Sequence, residues 1–116
     1  MNADGHLQKA HELEDTIEFL MSDLQKERHL ASLVEDVYGA ALHLIAYALQ
    51  TRHGTHPDTH AGMARLLRER GYIDIANLFG KLDGLRMGRW YGGKGNGEVI
   101  EECRNILTQI RKWATE

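Results

Sequence analysis

The sequence predicts an all-α protein, an antiparallel bundle of four to five helices. Three observations predict it. Apolar residues recur at spacings of three and four in five separate stretches. No stretch shows the strict alternation of a half-buried strand. The connections between the periodic stretches are short, as antiparallel neighbours require. A chain of 116 residues has the size of one domain, so residues 1–116 are taken as a single unit.

The first helix is expected over about residues 5–27. Leu7, Ala10, Leu13, Ile17, Leu20, Met21 and Leu24 make one narrow apolar stripe on an otherwise charged helix. Such a seam suits packing along a single groove, within the monomer or against a second chain. The second helix is expected from about His29 to Gln50. Its apolar face is broad, and Ala40, Ala41, Ala46 and Ala48 permit close helix approach, which makes it the central helix. Tyr38 and His43 lie on or near that face. They are expected to be core residues whose polar tips find a neighbour.

Thr51–Asp58 contains the only proline and reads as a connection. Asp58 or Thr59 is the expected cap of a third helix that runs to Arg70, with Gly71 as its stop. The fourth helix is expected from Ile73 to about Trp90, with Ile75, Ala76, Leu78, Phe79, Leu82 and Leu85 inward. The glycine-rich run Gly92–Gly97 separates it from a fifth helix, Glu98–Trp113. Acidic residues at the start of that last helix and Arg111 and Lys112 at its end suit the helix dipole.

Charge and composition narrow the function classes. The formal net charge is −3, which gives no overall attraction to nucleic acid. The signs are nevertheless uneven: basic side chains, Arg86 and Arg89 among them, outnumber acidic ones over residues 52–94. A lone cysteine, Cys103, excludes an intramolecular disulfide and suits a reducing compartment. The start, Met-Asn-Ala-Asp-Gly-His, lacks the features of a signal peptide, and the apolar run Val37–Leu49 is too short to span a bilayer. A cytoplasmic protein with no membrane contact is the expectation.

His53, His56 and His60 stand at spacings that can converge on one metal ion. Gly54 and Pro57 leave their geometry open, and no carboxylate or thiolate pattern completes a ligand set, so no metal and no cofactor are expected. The glycine-rich run lacks the order of a P-loop, and the glutamates after it oppose an anion. The most informative position is Arg86. It continues the face of Phe79, Leu82 and Leu85, where a charge is costly unless it is paired, snorkels to water or lines a cleft. Asp83, three residues earlier, is one candidate partner; a phosphate is the other.

The order of features resembles a known family. A Tyr- and Ala-rich central helix (Tyr38–Leu49) precedes Thr59-His60 at the opening of the next helix, and Leu82 to Gly92 then reads Leu-x2-Leu-Arg-x4-Tyr-Gly. Over about residues 30–113 this is similar to the HEPN superfamily, especially its small stand-alone prokaryotic branch. The resemblance implies a helical bundle that dimerises; the chain also carries more apolar stripes than a small bundle readily buries, and its first and fourth helices are the candidate interface. It also implies a partner of the minimal nucleotidyltransferase type, RNA or a nucleotide, bound at a cleft with Arg86, Arg89, Tyr91 and His60. Ribonuclease and toxin members carry Arg-x4-6-His. Here Arg86 matches the arginine, Tyr91 stands where a histidine would follow, and no histidine occurs after His60. A tyrosine of ordinary pKa near 10 exchanges protons poorly at neutral pH. The implied activity is therefore absent or weak, with Arg86 and Tyr91 as the catalytic candidates. The alternatives are a metal-independent ribonuclease that borrows His43 or His60, and a dimeric interaction module without a ligand site.

Overall fold

Leu30–His53 forms one helix of 24 residues, and the rest of the chain packs around it. In this computed structural model, which describes residues 1–88 and 95–116, it is α2. It follows α1 (Ala3–Met21) and a short 3-10 turn (Lys26–His29), and precedes α3 (His60–Glu69), α4 (Ile73–Arg86) and α5 (Asn96–Ala114). No strand occurs among the described residues. Among the described residues, no helix is long and apolar enough to cross a membrane.

The apolar periodicity of α2 explains its place. Leu33, Val37, Leu44, Ile45 and Leu49 are almost fully removed from water, and the four alanines are removed completely. Small side chains let neighbouring helices approach on several sides, so α1, α4 and α5 all lie against α2. Gly39 packs tightly on α1: a Cβ there would stand 3.1 Å from Leu13 Cδ1. The helix ends at Gly54, whose φ of 75° is left-handed, and its N–H donates to the Gln50 carbonyl at 2.9 Å. α3 packs chiefly on α4, with less of it on α2. The cap of α3 is Thr59, whose hydroxyl accepts from the Gly62 N–H at 3.0 Å. The stripes of α4 and α5 close the core through Phe79, Leu82, Val99, Ile100 and Ile110.

Two helices end earlier than their periodicity suggests. α1 stops at Met21 instead of continuing to about residue 27. The Ser22 hydroxyl donates to the Phe19 carbonyl at 2.6 Å. The Asp23 carboxylate accepts from the Gln25 N–H at 2.8 Å and lies 2.9 Å from His29 Nε2. Short polar side chains that bond nearby backbone offer it an alternative to the helix. Leu24 therefore leaves the apolar stripe and is 99% exposed. α4 ends at Arg86, not near Trp90. Gly88, at a φ of 79°, takes the left-handed conformation that stops a helix, and its N–H donates to the Leu85 carbonyl at 3.0 Å. Arg89, Trp90 and Tyr91 lie outside the described residues.

Candidate functional site: an arginine over an aromatic layer

The end of α4 meets the middle of α2 at Arg86. Phe79, Leu82 and Leu85 are buried, whereas Arg86 lies at the surface with 32% of its side chain exposed. Its guanidinium carbon sits 4.1 Å from the centre of the Tyr38 ring, a cation–π contact. Its Nη2 donates to Asp83 Oδ1 at 2.7 Å, and its Nη1 lies 3.8 Å from Glu35 Oε1. Of the candidate partners read from sequence, the carboxylate of Asp83 is thus in place. The arginine is both paired and snorkelling, with its head at the rim and its stem along apolar surface.

Tyr38 links this rim to the core. Its ring stacks on Phe79 at 5.2 Å and 14° between planes, and its hydroxyl lies 3.0 Å from His60 Nδ1. His60 in turn stacks on Phe79 at 4.3 Å. Arg86, Tyr38, Phe79 and His60 therefore form one continuous layer drawn from α2, α3 and α4. Burial pushes the Tyr38 phenol above its ordinary pKa, against the pull of the Arg86 charge, so the hydroxyl stays protonated at neutral pH.

Beside this layer is a cleft of about 360 Å³, lined mainly by Leu30, Ala31, Val34, Leu85 and Met87, with Arg86 and Glu35 at its polar edge. Met87 is 58% exposed, so the cleft offers apolar surface next to a cation. A second depression of about 330 Å³ lies between α1 and α5. There Arg111 Nε donates to Glu14 Oε2 at 2.6 Å and Arg104 lies 3.9 Å from Glu18. Its lining sets three carboxylates, Glu14, Asp15 and Glu18, against two arginines, so it suits an anion less well than the mainly apolar cleft at Arg86.

The structure brings Arg86 and His60 into one cluster through Tyr38 and Phe79. Arg89 and Tyr91, the other two site residues expected from sequence, lie outside the described residues. His53, His56 and His60 turn to three different partners: Tyr72, His6 with Gln50, and Tyr38. Among the described residues no group of side chains is arranged to hold a metal ion. Cys103 is buried, and burial pushes its thiol up to about 12, which keeps it protonated and poorly nucleophilic at neutral pH.

Sequence reasoning passed over two participants. Glu35 lies on the polar side of α2, and nothing in its spacing marks it as facing Arg86. His6 is buried at 7% exposure. It stands four residues before Ala10, so it extends the α1 stripe by one turn, and that was the available signal.

Fold and site define a class: a small all-α bundle with an arginine-capped aromatic layer at the edge of an apolar cleft. Compared with protein-family models, with curated proteins and with solved structures, the chain matches none.

Proposed function

We propose that the chain is a HEPN-like helical protein, non-catalytic or weakly catalytic, that binds an anionic partner at the Arg86 cleft. The ligand is a nucleotide or RNA, or an acidic surface of a nucleotidyltransferase-type protein. The observation that carries this reading is the placement of the Arg86 guanidinium on Tyr38 at the mouth of an apolar cleft. An apolar pocket with a few convergent polar groups is the usual form of a ligand site. A flat base suits the cleft, and a phosphate suits the planar fork of an arginine.

Asp83 sets the terms of binding. It holds Arg86 now, so an incoming phosphate competes with it. Arg86→Ala is expected to leave the fold intact, because an exposed cation–π contact and surface ion pairs contribute about 1 kcal/mol or less each. The same change is expected to weaken RNA or nucleotide binding at least about tenfold, with strong salt dependence in the wild type. Arg86→Lys keeps the charge without the fork and should fall between the two. Asp83→Asn should tighten binding, since it removes the competing carboxylate. Fluorescence titration with short single-stranded RNA and with nucleotides, paired with urea denaturation, reads both effects. If Arg86→Ala unfolds the protein and the wild type binds none of these ligands, the arginine is structural and the reading fails. The bundle is also proposed to act as a homodimer; a monomer in light scattering at high micromolar concentration would count against that.

A second reading, a metal-independent ribonuclease, is favoured by one observation. His60 Nδ1 stands 3.0 Å from the hydroxyl of the same tyrosine that Arg86 covers. An imidazole near a guanidinium offers a proton-transfer group beside a charge that stabilises a pentavalent phosphate. RNA cleavage that is lost in both His60→Gln and Arg86→Ala would select this reading over simple binding.

A further inference from the structure

Gln50, near the end of α2, fixes the direction of a hydrogen-bonded chain of three histidines. Its amide nitrogen donates to the Gly54 carbonyl at 3.0 Å. Its amide oxygen is thereby the atom that faces His56 Nδ1 at 2.9 Å, and it accepts the proton there. Neutral His56 then has a bare Nε2, which lies 3.0 Å from His6 Nε2, so His6 is the donor in that contact. Neutral His6 is in turn bare at Nδ1, which lies 2.8 Å from His43 Nδ1, and His43 donates. One amide orientation thus sets three tautomers across three parts of the fold: α1 (His6), α2 (His43) and the connection between α2 and α3 (His56).

Proton counting gives this chain a property that no single histidine has. Each of the two N···N contacts holds one proton, the Gln50 end holds one, and His43 Nε2 is free to hold one more. Four ring protons on three imidazoles amount to one positive charge, and a proton can pass along the chain without breaking a link. A second charge cannot be added intact, because it would set N–H against N–H. Three separated histidines, by contrast, each take a proton near their ordinary pKa of about 6.5.

We propose that the His43–His6–His56 chain is an acid-operated latch that fastens the first turns of α1 to the bundle and lets them go when it must take more than one proton. Around His6 the other facing groups are few. From α2 there is His43, and from the connection His56, itself held by Gln50, and Asp58. From the N-terminal side there are the Met1 ammonium and, beside His43, Lys9. Among the described residues around His6, Asp58 alone favours a cation, and it lies 3.8 Å from His56 Nε2 and is 98% exposed. Burial, then the His56 and His43 rings, hold His6 down to about 4. Burial, then Lys9, lowers His43 as well. Beyond this chain, the first two turns of α1 rest on little more than Leu7 and Ala10.

Amide hydrogen exchange by NMR between pH 7.5 and 4.5, corrected for the intrinsic pH dependence of exchange, tests the latch. Long-range proton–nitrogen spectra of the rings in the same samples report the tautomers. At pH 7.5 the proton is expected on Nδ1 of His56 and His43 and on Nε2 of His6. Below about pH 6 the opening constant of residues 3–10 should rise by more than tenfold per pH unit, because more than one proton is taken up. The amides of α2 and α5 should lose only what the fall in global stability takes from them and stay better protected than residues 3–10 through the same range. His6→Leu cannot carry the charge, so its residues 3–10 should lose this pH dependence. Any of four results would overturn the proposal: a slope of tenfold or less, opening only in step with global unfolding, another tautomer pattern, or an unchanged slope in His6→Leu. If His6→Leu does not fold, the slope and the tautomers of the wild type decide the matter by themselves.

Discussion

Phe79→Ala is expected to cost about 3–5 kcal/mol of folding stability. Phe79 is fully buried, and both of its neighbours in the aromatic layer are held by it: Tyr38 at 5.2 Å and His60 at 4.3 Å. Alanine would remove the ring's burial, leave a cavity and also forfeit the stacking, which contributes about 0.5–1.5 kcal/mol per pair beyond burial. Domains of this size have only about 5–15 kcal/mol of stability, so the variant should lie near the edge of folding. The effect should extend to the rim. Without Phe79 the Tyr38 ring has no floor, and the platform under Arg86 loosens with it. Urea denaturation measures the first part, and RNA or nucleotide titration of whatever protein remains folded measures the second. A loss below about 1 kcal/mol would mean that the aromatic layer is not packed as described.

The second large effect is on pH. Lowering the pH from 7 to 4 is expected to remove on the order of 3 kcal/mol through His6 alone, whose folded pKa of about 4 lies below the unfolded value of 6.5. Between those values the unfolded chain binds a proton that the folded chain refuses, so unfolding is favoured as pH falls. The stability is fully present above about pH 6.5 and is lost progressively toward pH 4. His43 is lowered too and acts in the same direction. Asp36 acts the other way. Burial, then Glu35, raises its carboxyl, so the folded state is relieved as that group protonates, and part of the loss is offset. Urea midpoints at pH 7.5, 6.5, 5.5 and 4.5 give the profile. A flat line across that range would show that the His6 site is open to water or otherwise able to hold its charge.

These expectations draw unequally on sequence and structure. Period alone determined the five helices, the central place of α2 and most of the core, because burial of an apolar face is a one-dimensional pattern that survives in the sequence. It also marked Arg86 as out of place and named Asp83 as a partner. Caps were legible in one case and not in another. Asp58 and Thr59 announce the start of α3 and the structure selects Thr59 as its cap, whereas the end of α1 depends on Asp23 reaching both Gln25 and His29, and the end of α4 on a glycine taking a left-handed φ. What only the tertiary structure decided is which side chains from distant positions meet. Tyr38, His60 and Phe79 are separated by tens of residues, yet form one layer under Arg86. His6, His43 and His56 come from three parts of the chain and become one proton-bearing chain. Such contacts depend on how helices are rotated and set against each other. That is fixed by the packing of the whole core, whose partners are distant in sequence, so no local spacing records it.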